Sequence, residues 1–129
     1  ADFNLDGQVD LVVVNRNSRT QLWRNVDAGP GNWVGLELKQ PAPNIDAVGA
    51  WVEVRCGGHT TRREVTVGGG HAGGQLGWIH FGLGAEPKAE VRVLWPDGSQ
   101  GEWQPVEAGR FYTLIRGEQP KGWKPHRKG

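Results

Sequence analysis

Apolar residues recur at every second position through most of this chain. Val34, Leu36 and Leu38 alternate with Gly35, Glu37 and Lys39, and Val52, Val54 and Cys56 alternate with Glu53 and Arg55. Ile79, Phe81 and Leu83 follow the same rule, as do Val91, Val93 and Trp95. Phe111, Thr113 and Ile115 read as the matching set of a last strand. A period of two places one set of side chains on one face of a β-strand, and no segment carries the helical period. Turn formers stand between the runs. Cys56-Gly57-Gly58-His59 marks a hairpin into residues 60–67, and Pro96-Asp97-Gly98 marks a turn before a returning strand at residues 101–104. The 21 glycines and 8 prolines are spread among these runs, as many short strands with tight turns require. The chain is therefore expected to be all-β, with about nine strands in total. About seven of them form a β-sandwich or partly open barrel, preceded by an N-terminal hairpin.

Composition narrows the class further. Apolar residues make up 36% and charged residues 22% of the 129, the balance of a folded chain rather than a disordered one. The net charge of +1 gives no general attraction for polyanions, so no specific nucleic-acid partner is expected. Cys56 is the single cysteine, which excludes an internal disulfide. No apolar run approaches the roughly 18–20 residues of a membrane-spanning helix. The chain begins inside a motif and without a methionine, so it is expected to be a piece of a longer protein.

That motif is Asp2-x-Asn4-x-Asp6-Gly7-x-x-Asp10. Carboxylates this close repel one another unless a cation joins them. Asp2, Asn4, Asp6 and Asp10 hold positions 1, 3, 5 and 9 of a calcium loop, and Gln8 holds position 7, where a backbone carbonyl serves. Gly7 permits the sharp turn, and an all-oxygen donor set suits Ca²⁺ better than Zn²⁺ or copper. Val13 stands where an EF-hand carries glutamate, so the expected element is a loop leading into a strand. Residues 9–14, apolar apart from Asp10, read as a buried strand that residues 21–25 can pair with.

"DFNLDGQVDLVVVNRN" and "TQLWRN" together resemble one FG-GAP/VCBS-type repeat, the calcium-binding blade unit of integrin-like β-propellers. A single unit implies the last part of a propeller lying upstream. "NWVGLELKQPAPNIDAVGAWVEV", "HFGLG", "VRVLWPDGS" and "FYTLIRG" together resemble the ASPIC/UnbV domain of cartilage acidic protein and bacterial exported proteins. The resemblance implies an extracellular or periplasmic location. The expected organisation is a calcium loop and hairpin at 1–28, an ASPIC/UnbV-like β domain at 29–117 and a flexible basic tail at 118–129.

Candidate ligand contacts are few. Asn44 and Asp46 precede a turn at residues 47–50, where Asx side chains bond nearby backbone N–H groups, and Asp46 is also a candidate ligand contact. The glycine-rich stretch 68–75 lacks the Gly-Lys-Ser/Thr of a phosphate loop, and His71 and Gln75 are its strongly polar side chains. Among seven tryptophans, Trp33, Trp51, Trp78 and Trp103 are candidates for partial exposure, and Trp51 and Trp78 share a face if their strands share a sheet. Trp95 falls in the inward register. His59, His71, His80 and His126 have no metal-ligand spacing, and Cys56 reads as a small core residue. No nucleophile–base arrangement stands out. The expectation is a non-catalytic, calcium-stabilised interaction or adhesion module with a protein or glycan partner. The alternatives are a carbohydrate-binding module using exposed tryptophans and an accessory domain of a larger enzyme.

Overall fold

The computed structural model describes residues 1–26, 29, 31–69 and 73–124. Among them are ten β-strands in three sheets and no helix. The chain divides into two compact units, Ala1–Pro30 and Gly31–Gly129.

The first unit holds a two-stranded sheet. β1 (Leu11–Val13) pairs antiparallel with β2 (Gln21–Trp23), as the sequence led us to expect. The expected burial of residues 9–14 does not occur. Leu11 is 59% and Val14 79% exposed, and Leu22 and Trp23 are open as well. A lone hairpin has no partner layer within its unit to cover its faces. Only Asp10 in this run is buried, at 6% exposure.

In the second unit two four-stranded sheets face each other. The first has the order β10-β9-β3-β6, from β3 (Asn32–Lys39), β6 (Ile79–Gly84), β9 (Arg110–Ile115) and β10 (Lys121–Trp123). The second has the order β5-β4-β7-β8, from β4 (Trp51–Cys56), β5 (His59–Glu64), β7 (Lys88–Leu94) and β8 (Gln104–Glu107). The sheets do not close into a barrel, so the architecture is a sandwich. All neighbours pair antiparallel except β3 and β9, which run parallel.

The alternation explains the core. Val34, Leu36 and Leu38 of β3, with Phe81 and Leu83 of β6, meet Val52 and Val54 of β4 and Val91 and Val93 of β7. Burying each such side chain stabilises the fold by about 1.5–3 kcal/mol. Gly57 (φ 52°) and Gly58 (φ 78°) make the tight β4–β5 turn, which needs two left-handed residues. Trp95 is in the core, as its register indicated.

Three expectations need correction. In β9 the inward residues are Tyr112 and Leu114, so Phe111, Thr113 and Ile115 point the other way. The sequence Phe-Tyr-Thr-Leu-Ile is apolar in both registers, and only packing decides between them. The returning strand is Gln104–Glu107 rather than 101–104. The chain comes back to β7 at the Leu94–Gln100 bridge, and the Gly101 N–H donates to the Val93 carbonyl at 2.8 Å. The pairing is then irregular and becomes regular only from Gln104, opposite Val91. The expected flexible tail contains β10, which pairs antiparallel with β9 through Lys121–Trp123. Its anchor is aromatic: the Trp123 and Phe111 ring centroids stand 5.7 Å apart. Residues 125–129, with His126, lie outside the described residues.

Candidate functional site

The N-terminal loop is wound by its own acids. Gly7 sits at φ 91°, a conformation open to glycine. The Asp2 carboxylate accepts from the Asp6 N–H at 3.1 Å and the Gly7 N–H at 2.8 Å. Asp6 Oδ1 accepts from the Gln8 N–H at 3.0 Å, and the Asn4 amide donates to Asp6 Oδ2 at 2.7 Å. Asp10 accepts from the Phe3 N–H at 3.0 Å and the Asn25 N–H at 2.9 Å, tying the loop to the chain beyond β2. The Arg24 guanidinium stands 3.3 Å from Asp6 Oδ2. The Gln8 backbone N–H, then the Asn4 amide and Arg24, hold the Asp6 carboxyl below its ordinary value.

These residues match a hard cation in kind. Every candidate donor is oxygen, and the buried Gln8 Oε1 has no hydrogen-bond partner, an acceptor that a cation would satisfy. They are not gathered around one point: among the described residues no three His, Cys, Asp or Glu side chains form a metal-holding group. The carboxylates are occupied instead by N–H donors, and a cation at Asp6 would have to displace Arg24.

The sandwich carries two different outward faces. On the first sheet, five rings cluster over Gly35. Trp33 stacks on His80 with centroids 5.6 Å apart, and its edge meets Phe111 at 4.8 Å. Trp78 packs against Phe111 at 4.9 Å and Trp123 at 5.0 Å. Phe111 is only 7% exposed, although it lies outside the sandwich core. Gly35 makes this possible, since a Cβ there would fall 2.2 Å from Phe111 Cδ1. The indoles of Trp33, Trp78 and Trp123 stay half-buried at the surface of the cluster.

On the second sheet the outward face is charged. Glu53 lies opposite Arg62 on one side and Arg92 on the other, and Arg92 Nε donates to it at 2.5 Å. Arg55 lies opposite Glu90 and donates at 2.7 Å. The Arg55 and Arg92 guanidiniums each stand 4.4 Å from the centre of the Trp103 ring. Arg62 lies 4.1 Å over Trp51. Trp51 opens β4 of the second sheet, whereas Trp78 just precedes β6 and packs on the outer face of the first, so the two share no face.

A cleft of about 220 Å³ opens at one end of β3, lined by Glu37, Lys39, Asp46, Leu76, Gly77 and Ile79 among others. Asp46 Oδ1 accepts from Lys39 Nζ at 2.6 Å, a bond that raises the lysine above its ordinary value against the opposing effect of burial. Asn44 does cap the turn: its Oδ1 accepts from the Val48 N–H at 3.0 Å and its amide donates to the Val48 carbonyl at 2.9 Å. Gln75 is exposed, and its backbone N–H donates to the Val67 carbonyl at 2.7 Å. His71 lies outside the described residues.

Sequence reasoning missed Phe111, His80 and Trp123 as members of one cluster. The available signal was Gly35, a glycine inside a strong strand pattern, which marks close approach of another group. No curated protein sequence matches the chain. The family described as ASPIC and UnbV matches residues 40–121, from the approach to β4 through β9 and into β10. That is well over half of the sequence and most of the sandwich, so the chain belongs to the ASPIC and UnbV family.

Proposed function

We propose that this chain is a non-catalytic accessory module that works outside the cytoplasm and engages a protein or glycan partner. The observation that carries the reading is the outward aromatic cluster of the first sheet. Half-buried indoles on an outer face supply contact area at low entropic cost, the chemistry of recognition surfaces. Immobilising the chain and passing secreted or surface extracts over it, beside a Trp78→Ala/Trp123→Ala variant, tests this. Equal retention by both proteins would overturn the use of that face.

The N-terminal loop and hairpin are the last FG-GAP/VCBS-type repeat of a β-propeller, and the loop takes Ca²⁺ through Asp2, Asn4, Asp6 and Asp10, with the backbone at Gln8. Its support is the oxygen donor set and the unpartnered Gln8 Oε1. The open apolar residues of the hairpin, Leu11, Val12, Leu22 and Trp23, are the surface that further strands of a propeller blade would cover. Calcium at one hundred times its Kd should stabilise the hairpin unit by about 2.7 kcal/mol, and Asp2→Asn should abolish the gain. Calorimetric titration without heat, and a melting curve that calcium leaves unmoved, would remove the metal.

A second reading, a carbohydrate-binding module, is favoured by the cleft that joins charged side chains to apolar wall and whose lining residues Gly77 and Ile79 flank Trp78 in the chain. Screening the chain against immobilised polysaccharides tests it.

A further inference from the structure

Glu37 belongs to two settings at once. It lines the cleft with Lys39 and Asp46, and its Oε1 accepts from Thr113 Oγ1 at 2.8 Å on the face that carries the aromatic rings. Glu37 Oε2 and Asp46 Oδ2 accept from no group among the described residues. Lys39 supplies donors beside them. Leu76 and Ile79 give the cleft apolar wall, and Trp78 leaves the wall between Gly77 and Ile79 to join the rings on the outer face.

Resting on the glycan-binding reading above, we propose that this cleft and Trp78 form a subsite for one neutral pyranose residue of a glycan. A pyranose offers an apolar C–H face, which suits an indole, and a rim of hydroxyls, which suits carboxylates as acceptors and an ammonium as donor. The charge selects the neutral sugar. Two carboxylates against one ammonium leave the cleft net negative, so a phosphate or uronate meets repulsion. The lysine in turn opposes a simple cation, and a wholly apolar ligand would strip water from charged groups without replacing its hydrogen bonds.

The test is titration calorimetry on the full chain with cellohexaose, xylohexaose, mannohexaose and laminarihexaose, and with oligogalacturonate as the anionic comparison. At least one neutral oligosaccharide should bind. Trp78→Ala and Glu37→Gln should each weaken it about tenfold or more, while Trp51→Ala, on the other sheet, leaves it unchanged. Glu37→Gln keeps an acceptor for Thr113, so it separates loss of the site from loss of the fold if Trp78→Ala does not fold. Binding that responds to Trp51→Ala but not to Glu37→Gln overturns this subsite while the carbohydrate reading stands. Binding of oligogalacturonate alone overturns the neutral sugar and keeps the reading. Silence toward all five overturns both.

Discussion

The outward face of the first sheet gathers Trp33, Trp78, His80, Phe111 and Trp123 into contact, whereas that of the second interleaves Arg55, Arg62 and Arg92 with Glu53 and Glu90 around Trp51 and Trp103. Both faces keep tryptophan half-buried, by different means. The aromatic face depends on shape: one ring fits because one residue has no side chain. The charged face depends on pairs set directly across neighbouring strands, each of modest and separable worth. Damage to the first face should therefore spread, and damage to the second should stay local.

The largest effect expected is from Phe111→Ala, which empties the centre of the ring cluster and should cost about 4 kcal/mol in urea unfolding. Gly35→Ala should cost about 3 kcal/mol, because Phe111 must leave its seat. The two changes together should cost clearly less than their sum, since the second removes the ring with which the first collides. Strict additivity in that cycle would break the contrast between the faces. On the charged side, Glu53→Ala leaves Arg92 facing Arg62 across the sheet and should cost about 2 kcal/mol, below the range for fully buried pairs because Arg92 keeps partial exposure. Trp103→Leu keeps apolar area but removes the ring beneath two guanidiniums, for about 1 kcal/mol by the same assay.

The smallest effect lies at the turn after β7. The Arg116 guanidinium, and then Ser99, hold the exposed Asp97 carboxyl far below its ordinary value. Such a group adds stability that is fully present above its unfolded pKa of about 3.9 and fades as pH falls toward the folded value. Asp97→Asn should lower Tm slightly at pH 7 and match the wild type in strong acid. A Tm difference that persists unchanged at pH 2 would contradict the pairing.

Much of the sandwich was legible because its alternation had one apolar register. Val52 and Val54 of β4 and Val91 and Val93 of β7 could face only inward. β9 was not legible in this way: its two registers are almost equally apolar, and the sequence reading took the outward set for the inward one. Trp123 escaped notice because a three-residue edge strand is too short to show a period. The candidate ligand residues were scattered for a related reason. Trp51 and Trp78 have like registers in the sequence pattern, but Trp78 falls just before β6 rather than in it, and register says nothing about which sheet a strand joins. The N-terminal loop was read from local spacing, and local hydrogen bonds do wind it; the partner Arg24, 18 residues away from Asp6, was not readable from that spacing.

By itself the sequence determined the all-β class, the turns at Gly57–Gly58 and after Trp95, and the inward faces of β3, β4, β6 and β7, because backbone geometry and hydrophobic period act over a few neighbouring residues. Tertiary structure alone decided that Phe111 lies over Gly35, that Trp78 meets Trp123, and that Glu37 reaches both the cleft and Thr113. Each of these joins strands far apart in the chain. Which strands become neighbours is settled by burying all the inward faces together, a condition that no single stretch of sequence contains.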